Sequence, residues 1–259
     1  MSQRKDLPPT APGPLALVGS GEYLESMADF EGWLLDGKPQ RYVQIPTAAS
    51  GEGEERLEYW IDLGVRQADR LGAEAVPLVI TTRAQADDPA IAAQVAGAGL
   101  IYFSGGSAER LMQVMAGTAT MEAIMAEWRS GAALAGCSAG AMMMGEWVPR
   151  ISLRHNPPRH GLSLLPKKGI LPHFDRFLSH IPDLLRDTLS QKPNDISLIG
   201  IDEETALVHT AEGWSVHGTA KVWDIRGHHR TPFGRGEDLA DFNLPEPEID
   251  GAGHGYHAS

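Results

Sequence analysis

Residues 133–145 read ALAGCSAGAMMMG. A short apolar run meets Gly136-Cys137-Ser138-Ala139-Gly140, which fits the G-x-S-x-G pattern of a nucleophile carried on a strand–turn–helix elbow. The spacing has a physical reason. The central residue sits on a sharp, strained turn, and its neighbours two positions away must be small because the chain folds back on itself. Its side chain is lifted above the sheet, where the first N–H groups of the next helix face a developing oxyanion. A glycine-rich turn that only packs a helix on a sheet shares the pattern. The apolar strand before it and the helix-capable AGAMMMGEW after it favour the nucleophile. The register puts Ser138 at the apex. Cys137, the only cysteine, is one residue earlier, on the opposite face of the strand, and suits small core filler.

Working outward, PLALVGSGE (14–22) and RYVQIPTAAS (41–50) are apolar runs stopped by turn residues, as buried strands are. Residues 52–71 place Leu57, Trp60, Ile61, Val65 and Ala68 at helical spacing, with acids in the first turn. AEAVPLVI (73–80) is a third strand. In DPAIAAQVAGAG (88–99), Asp88 caps and Pro89 opens a short helix. LIYFSGG (100–106) is a fourth strand, residues 107–129 form one broken or two short helices, and AALAGC is a fifth strand. Apolar strands without alternation, joined by amphipathic helices, predict an α/β fold: a largely parallel sheet covered on both faces. Ligands bind at the carboxyl ends of such strands. The loops GSGE (19–22), SGGS (104–107) and GCSAG (136–140) are therefore expected to face one crevice.

The flanks read differently. Residues 1–14 hold four prolines and little to bury, so a flexible lead-in is expected. Residues 147–174, rich in proline and basic side chains, predict a long, partly irregular excursion over the crevice. Residues 175–190 look helical. Residues 197–225 read as strand, turn, strand, turn, strand, with AEGW as a hairpin turn. The acidic residues 232–259 read as a surface tail beyond one domain spanning 15–231.

Composition bounds the function. The 259 residues carry a formal net charge of −12, a pattern that disfavours nucleic acid and anionic membranes as partners. One cysteine forms no internal disulfide, and no apolar run approaches membrane-spanning length, so a cytoplasmic protein is expected. The histidines lack H-E-x-x-H spacing, and one cysteine builds no thiolate site, so no metal or cofactor is expected. A nucleophilic serine needs a base. Among ten histidines, His173 in GILPHFDRF follows an apolar segment and precedes a helical stretch, at the loop mouth where a base belongs.

Four segments then carry a resemblance. YFSGGSAERL, GCSAGAM, GILPHF, and GIDEETALV with WSVHGTAKVWD, in that order, resemble the serine peptidase family of cyanophycinase and aspartyl dipeptidase E, over about residues 14–226. The resemblance implies a three-layer, flavodoxin-like core of the class I glutamine amidotransferase type with a C-terminal β-hairpin extension, and a homodimer. It implies Ser138 as nucleophile, His173 as base and Glu203 as orienting acid. Glu204, and Glu146 after the elbow, remain alternatives for the acid. The implied oxyanion donors are the N–H groups of Ala139 and of Gly106 or Gly105. Where cyanophycinases carry polar residues for a β-linked aspartate, this chain has Ser107, Ala108, Leu171 and Pro172, which makes cyanophycin an unsuited substrate. Ser107 remains a candidate substrate contact. Arg176, with Arg110, Arg154 and Arg159, is a candidate cation near the site, though each also reads as a solvated surface charge. The expected protein is a serine peptidase acting on short peptides. Its rivals are an esterase or amidase on the same residues and a non-catalytic protein that binds a small ligand.

Overall fold

The computed structural model describes residues 11–149, 159–176, 190, 192–227 and 229–249. Five strands make the parallel heart of the main sheet: β1 (Leu15–Val18), β2 (Arg41–Ile45), β3 (Glu74–Pro77), β4 (Leu100–Phe103) and β5 (Ala133–Cys137). Two further strands, β10 (Thr205–Thr210) and β11 (Gly213–Gly218), extend it as an antiparallel hairpin, giving the order β11-β10-β1-β5-β4-β2-β3. β1, β5 and β4 are parallel neighbours in register, Val18 beside Cys137 and Phe103 beside Gly136. Their three carboxyl-end loops therefore meet at one edge of the sheet, as expected.

The strands are buried on both faces, and alternate residues serve different cores. Leu15, Leu17, Ile101, Phe103 and Leu134 face one cluster, which the helices α5 (Ala108–Met115), α6 (Ala119–Arg129) and α7 (Ala139–Met142) help to fill. Ala16, Val18, Leu100, Tyr102 and Cys137 face the other, beneath α1 (Ala28–Leu35) and α2 (Glu54–Arg70). The helix starts follow capping chemistry. Ser107 accepts the Arg110 N–H to open α5, Thr118 caps α6, and Asp88 with Pro89 opens α4 (Pro89–Ala92). Before α4, a capping box of Thr82 and Gln85 opens α3 (Arg83–Ala86).

Three expectations change. The helix after the elbow is one turn, because the chain leaves it at Gly145 for β6 (Gly145–Val148). A Cβ at Gly145 would lie 2.7 Å from the Lys168 carbonyl oxygen, so only glycine allows this approach. Within the expected excursion the described residues form two strands, β7 (Arg159–His160) and β8 (Leu165–Leu171), joined by irregular chain at 161–164. With β6, β9 (Ser197–Ile201), β12 (Val222–Arg226) and β13 (His229–Phe233) they form a second sheet, ordered β13-β12-β9-β8-β6-β7. The span 197–225 thus holds four strands in two sheets, and the helical reading of 175–190 lies mostly outside the described residues. Last, the boundary expected at residue 231 cuts β13, and residues 232–249 are not a surface tail. Phe233 and Phe242 are buried and stacked, with ring centroids 5.1 Å apart, and Leu239, Leu244 and Ile249 pack on the same core.

Candidate active site

Ser138 follows β5 directly. Its N–H donates to the Val18 carbonyl, and its backbone lies at φ 50°, ψ −106°, a strained conformation for a side chain with a Cβ. Four of the six described non-glycine residues with positive φ are Tyr23, Ser138, His173 and Glu204, and all four lie in the loops at this edge. Strain of this kind persists only where the surroundings over-determine it.

His173 stands just beyond the end of β8, and Glu203 lies on the bend that carries the chain from β9 in one sheet to β10 in the other. The three side chains form a line. His173 Nε2 is 3.1 Å from Ser138 Oγ, and His173 Nδ1 is 2.8 Å from Glu203 Oε1. A nucleophile, a base and an orienting carboxylate at these distances can pass the serine proton to the imidazole and stabilise the imidazolium that results. Burial alone raises the Glu203 carboxyl, but the hydrogen bond from His173 and the charge of Arg176 outweigh it, so its pKa is lowered overall. Its backbone N–H is held by Asp175 Oδ1 at 3.1 Å.

The other acids go elsewhere. Asp202 turns inward to the Trp223 indole N–H and the Lys221 N–H. Glu204 donates its N–H to the Ser20 carbonyl, and Glu146 accepts the Lys167 N–H. Residues 202–204 form the crossing between the sheets, which turns these neighbouring acids apart.

The Gly-Gly loop lies against the serine: a Cβ at Gly105 would sit 3.4 Å from Ser138 Cβ. Its N–H, however, donates to Glu22 Oε1 at 2.8 Å, which removes Gly105 from the expected oxyanion donors. Gly106 is exposed, at φ 132°, and a Cβ there would meet the Ala48 backbone at 2.6 Å, so glycine is required twice over. Ala139 begins α7 beside Ser138.

The expected substrate contacts are differently employed. The Ser107 hydroxyl caps α5. Arg176 Nε lies 2.9 Å from Glu203 Oε1, with its side chain 65% exposed. Arg110 binds Ser50 Oγ and the Thr81 carbonyl. Leu171, Pro172 and Ala108 are buried, and Leu171 packs with Trp147 and Phe174. Arg154 and the side chain of Arg159 lie outside the described residues. Sequence reading passed over Glu22, Tyr23 and Asp175. Only the acid that closes the GSGE loop after two glycines carried a signal of the first. Cys137 is fully buried, as core filler should be, but its thiol also donates to Glu22 Oε2 at 2.8 Å. Burial raises the thiol well above its ordinary pKa, and the Glu22 charge adds to this, so a thiolate is disfavoured.

Fold and site together define an α/β protein with a hydrolase-type serine elbow. Residues 15–216 match peptidase family S51, and the chain belongs to that family. A cyanophycinase of Trichormus variabilis is 30% identical over 159 residues, covering 58% of this chain and 52% of its own. One from Synechococcus elongatus is 28% identical over 158 residues, covering 59% and 47%. The chain thus spans about half the length of the curated relatives it matches. The crystal structure of a peptidase from an acI-B1 Actinobacterium superposes with a TM-score of 0.80 at 42% identity, covering 87% of this chain and 96% of that one. A putative peptidase E from Listeria monocytogenes EGD-e, at 17% identity and a TM-score of 0.59, shares the fold.

Proposed function

We propose that this chain is a serine peptidase that hydrolyses short peptides through an acyl-enzyme. The observation that carries the reading is the unbroken line Ser138–His173–Glu203 at 3.1 and 2.8 Å, with the serine on a strained elbow. Ser138 Oγ attacks the peptide carbonyl carbon while His173 Nε2 takes its proton. The carbonyl oxygen becomes an oxyanion that the N–H groups of Gly106 and Ala139 receive. His173 returns the proton to the leaving amine, and the acyl group stays on Ser138. Water then attacks that ester with His173 again as base, releasing the acid and restoring the serine. Glu203 stays ionised throughout and holds Nδ1–H, which keeps Nε2 free to accept. A cytoplasmic setting is part of the reading, because the lone cysteine is buried and needs no oxidising compartment.

The substrate class is an ordinary α-linked peptide rather than a β-aspartyl one. The positions where cyanophycinases hold a carboxylate are here buried Ala108, Leu171 and Pro172, and Ser107, whose hydroxyl caps a helix. Each lost hydrogen bond to a charged group is worth about 1.5–3 kcal/mol, and losing two or three lowers the specificity constant by at least about two orders of magnitude. Mass spectrometry of products from a mixed peptide pool, with β-aspartyl-arginine alongside, tests this. Expected are cleaved α-linked peptides, an intact β-aspartyl dipeptide, and stoichiometric labelling of Ser138 by a fluorophosphonate. Cleavage of esters alone would make the protein an esterase. An unlabelled Ser138 would make it a binding protein.

A further inference from the structure

The carboxylate of Glu22 lies under the site, almost wholly buried at 7% exposure, and takes no part in the proton path. Its two oxygens accept from two strands. Oε1 takes the Gly105 N–H at 2.8 Å at the end of β4, and Oε2 takes the Cys137 thiol at 2.8 Å at the end of β5. A carboxylate suits this position because it is acceptor-only, with lone pairs for both donors. Gly105 is wedged between it and the nucleophile: a Cβ at Gly105 would lie 2.7 Å from Glu22 Oε1 and 3.4 Å from Ser138 Cβ. Tyr23 makes a second clamp on the same loop. It is buried, held at φ 66°, and its hydroxyl is 2.6 Å from Ser104 Oγ. Two successive side chains thus fasten two successive residues of the Gly-Gly loop.

The same segment also fastens the loop that bears the acid. Gly19 N–H donates to the Thr205 carbonyl at 3.0 Å, and the Ser20 carbonyl accepts the Glu204 N–H at 3.2 Å. A Cβ at Gly19 would lie 2.1 Å from the Asp202 carbonyl oxygen, so the two backbones touch. Residues 19–23 therefore join the acid loop, the Gly-Gly loop and, through Cys137, the residue before the nucleophile.

We propose that Glu22, with Tyr23, is a positioning residue that sets the Gly105–Gly106 peptide against Ser138, so that the Gly106 N–H is fixed where the oxyanion forms. The inference rests on the serine-peptidase reading above. It explains why the only cysteine sits beside the serine: it supplies the second donor to Glu22. Displacing the loop weakens binding of the transition state more than binding of the substrate, because the donor meets full charge only in the transition state.

The test uses the full chain and a peptide that the wild type cleaves. Complete removal of an oxyanion donor costs about a hundredfold to a thousandfold in kcat. A displaced donor costs less, so Glu22→Leu is expected to lower kcat roughly tenfold to a hundredfold with KM changed less than about threefold. Fluorophosphonate labelling of Ser138 should slow in parallel. Glu22→Gln is the rescue: its amide oxygen still accepts the Gly105 N–H while its NH2 faces the Cys137 sulfur, and its kcat is expected within about fivefold of wild type. Tyr23→Phe keeps the ring and should lower kcat about threefold to tenfold; it decides the matter if Glu22→Leu does not fold. Folded Glu22→Leu, or in its absence Tyr23→Phe, at wild-type kcat and labelling rate overturns the inference. So does a loss confined to KM, or a Glu22→Gln as impaired as Glu22→Leu. Failure of the underlying reading looks different: wild-type Ser138 takes no label, and Ser138→Ala still hydrolyses peptide.

Discussion

At Ser138 the side chain is a hydroxyl on a backbone that the strand and the following turn force to φ 50°. Ser138→Ala removes an oxygen and no core volume, so the fold should survive, by circular dichroism and thermal melting, while hydrolysis falls to background. Cys137→Ala leaves Glu22 its bond to Gly105 and should keep most of the activity, with a stability loss of about 1–2 kcal/mol for the buried thiol and its hydrogen bond. A folded, inactive Cys137→Ala beside an active Ser138→Ala would move the nucleophile to the thiol. Glu203 carries a pH signature. Its pKa is lowered in the folded state because the His173 bond and Arg176 outweigh its partial burial. A lowered carboxyl stabilises the fold above the ordinary carboxylate range, and that contribution is lost as pH falls through the lowered value. Urea titrations should therefore find wild type more stable than Glu203→Gln near pH 7, with the difference shrinking below about pH 4. The same variant should lose about two to four orders of magnitude in kcat, since an amide no longer fixes the imidazole tautomer.

Elements meet closely at the elbow. A Cβ on Gly136 would lie 2.5 Å from the Gly140 carbonyl carbon, and one on Gly140 would lie 2.6 Å from the Phe103 carbonyl oxygen. Gly140→Ala should therefore destabilise by about 1–3 kcal/mol or more, measured by denaturant unfolding. This pairing was legible in the sequence because both glycines and the serine fall within five residues. Buried apolar runs likewise made the parallel strands legible. The second sheet was not, because β6 pairs with β8 across a proline-rich segment, and neither strand alternates cleanly. Helix α1 holds a group whose environment no local pattern reveals. Glu31 is fully buried against the Tyr42 hydroxyl at 2.8 Å, and burial pushes its pKa from 4.5 up to about 7. A raised carboxyl works in the opposite sense to Glu203. The unfolded chain ionises first, so stability is lost as pH rises from about 4.5 through about 7. Glu31→Gln should match wild type near pH 4 and exceed it by about 3 kcal/mol near pH 8. Equal stabilities at both pH values would mean that Glu31 ionises freely in the fold.

Across the whole molecule, the site draws its residues from both sheets: Ser138 from the main one, His173 from the end of β8, and Glu203 from the crossing between them. Ser138 and His173 were legible from local chemistry. Glu203 needed the family resemblance, since three acids stand side by side, and Glu22 went unread because long-range approach alone gives it meaning. The two sheets must therefore stay docked for the site to exist, and residues 232–249 bear on that docking. This strap is acidic and poor in large apolar residues, which is why it reads as a tail, yet its few large apolar side chains are all used. Phe242 is buried on Phe233, while Leu239, Leu244 and Ile249 pack on the core shared by both sheets. Backbone groups complete the attachment. The Ile249 carbonyl accepts from Arg129 at the end of α6, the Pro245 carbonyl accepts from the Trp214 indole on β11, and the Glu248 N–H donates to the Leu164 carbonyl. Burying one phenylalanine is worth roughly 1.5–3 kcal/mol, and the partly buried residues add to it. Deleting residues 236–259 should then cost at least about 3 kcal/mol and lower Tm by about 6–12 °C. Phe242→Ala alone should reproduce much of the loss, because its ring fills the space against Phe233. In both variants kcat should fall in step with the folded fraction as temperature rises, since among the described residues the strap bonds to Arg129, Trp214 and Leu164 rather than to Ser138, His173 or Glu203. An unchanged Tm in both would show that the strap lies on the surface without holding the sheets.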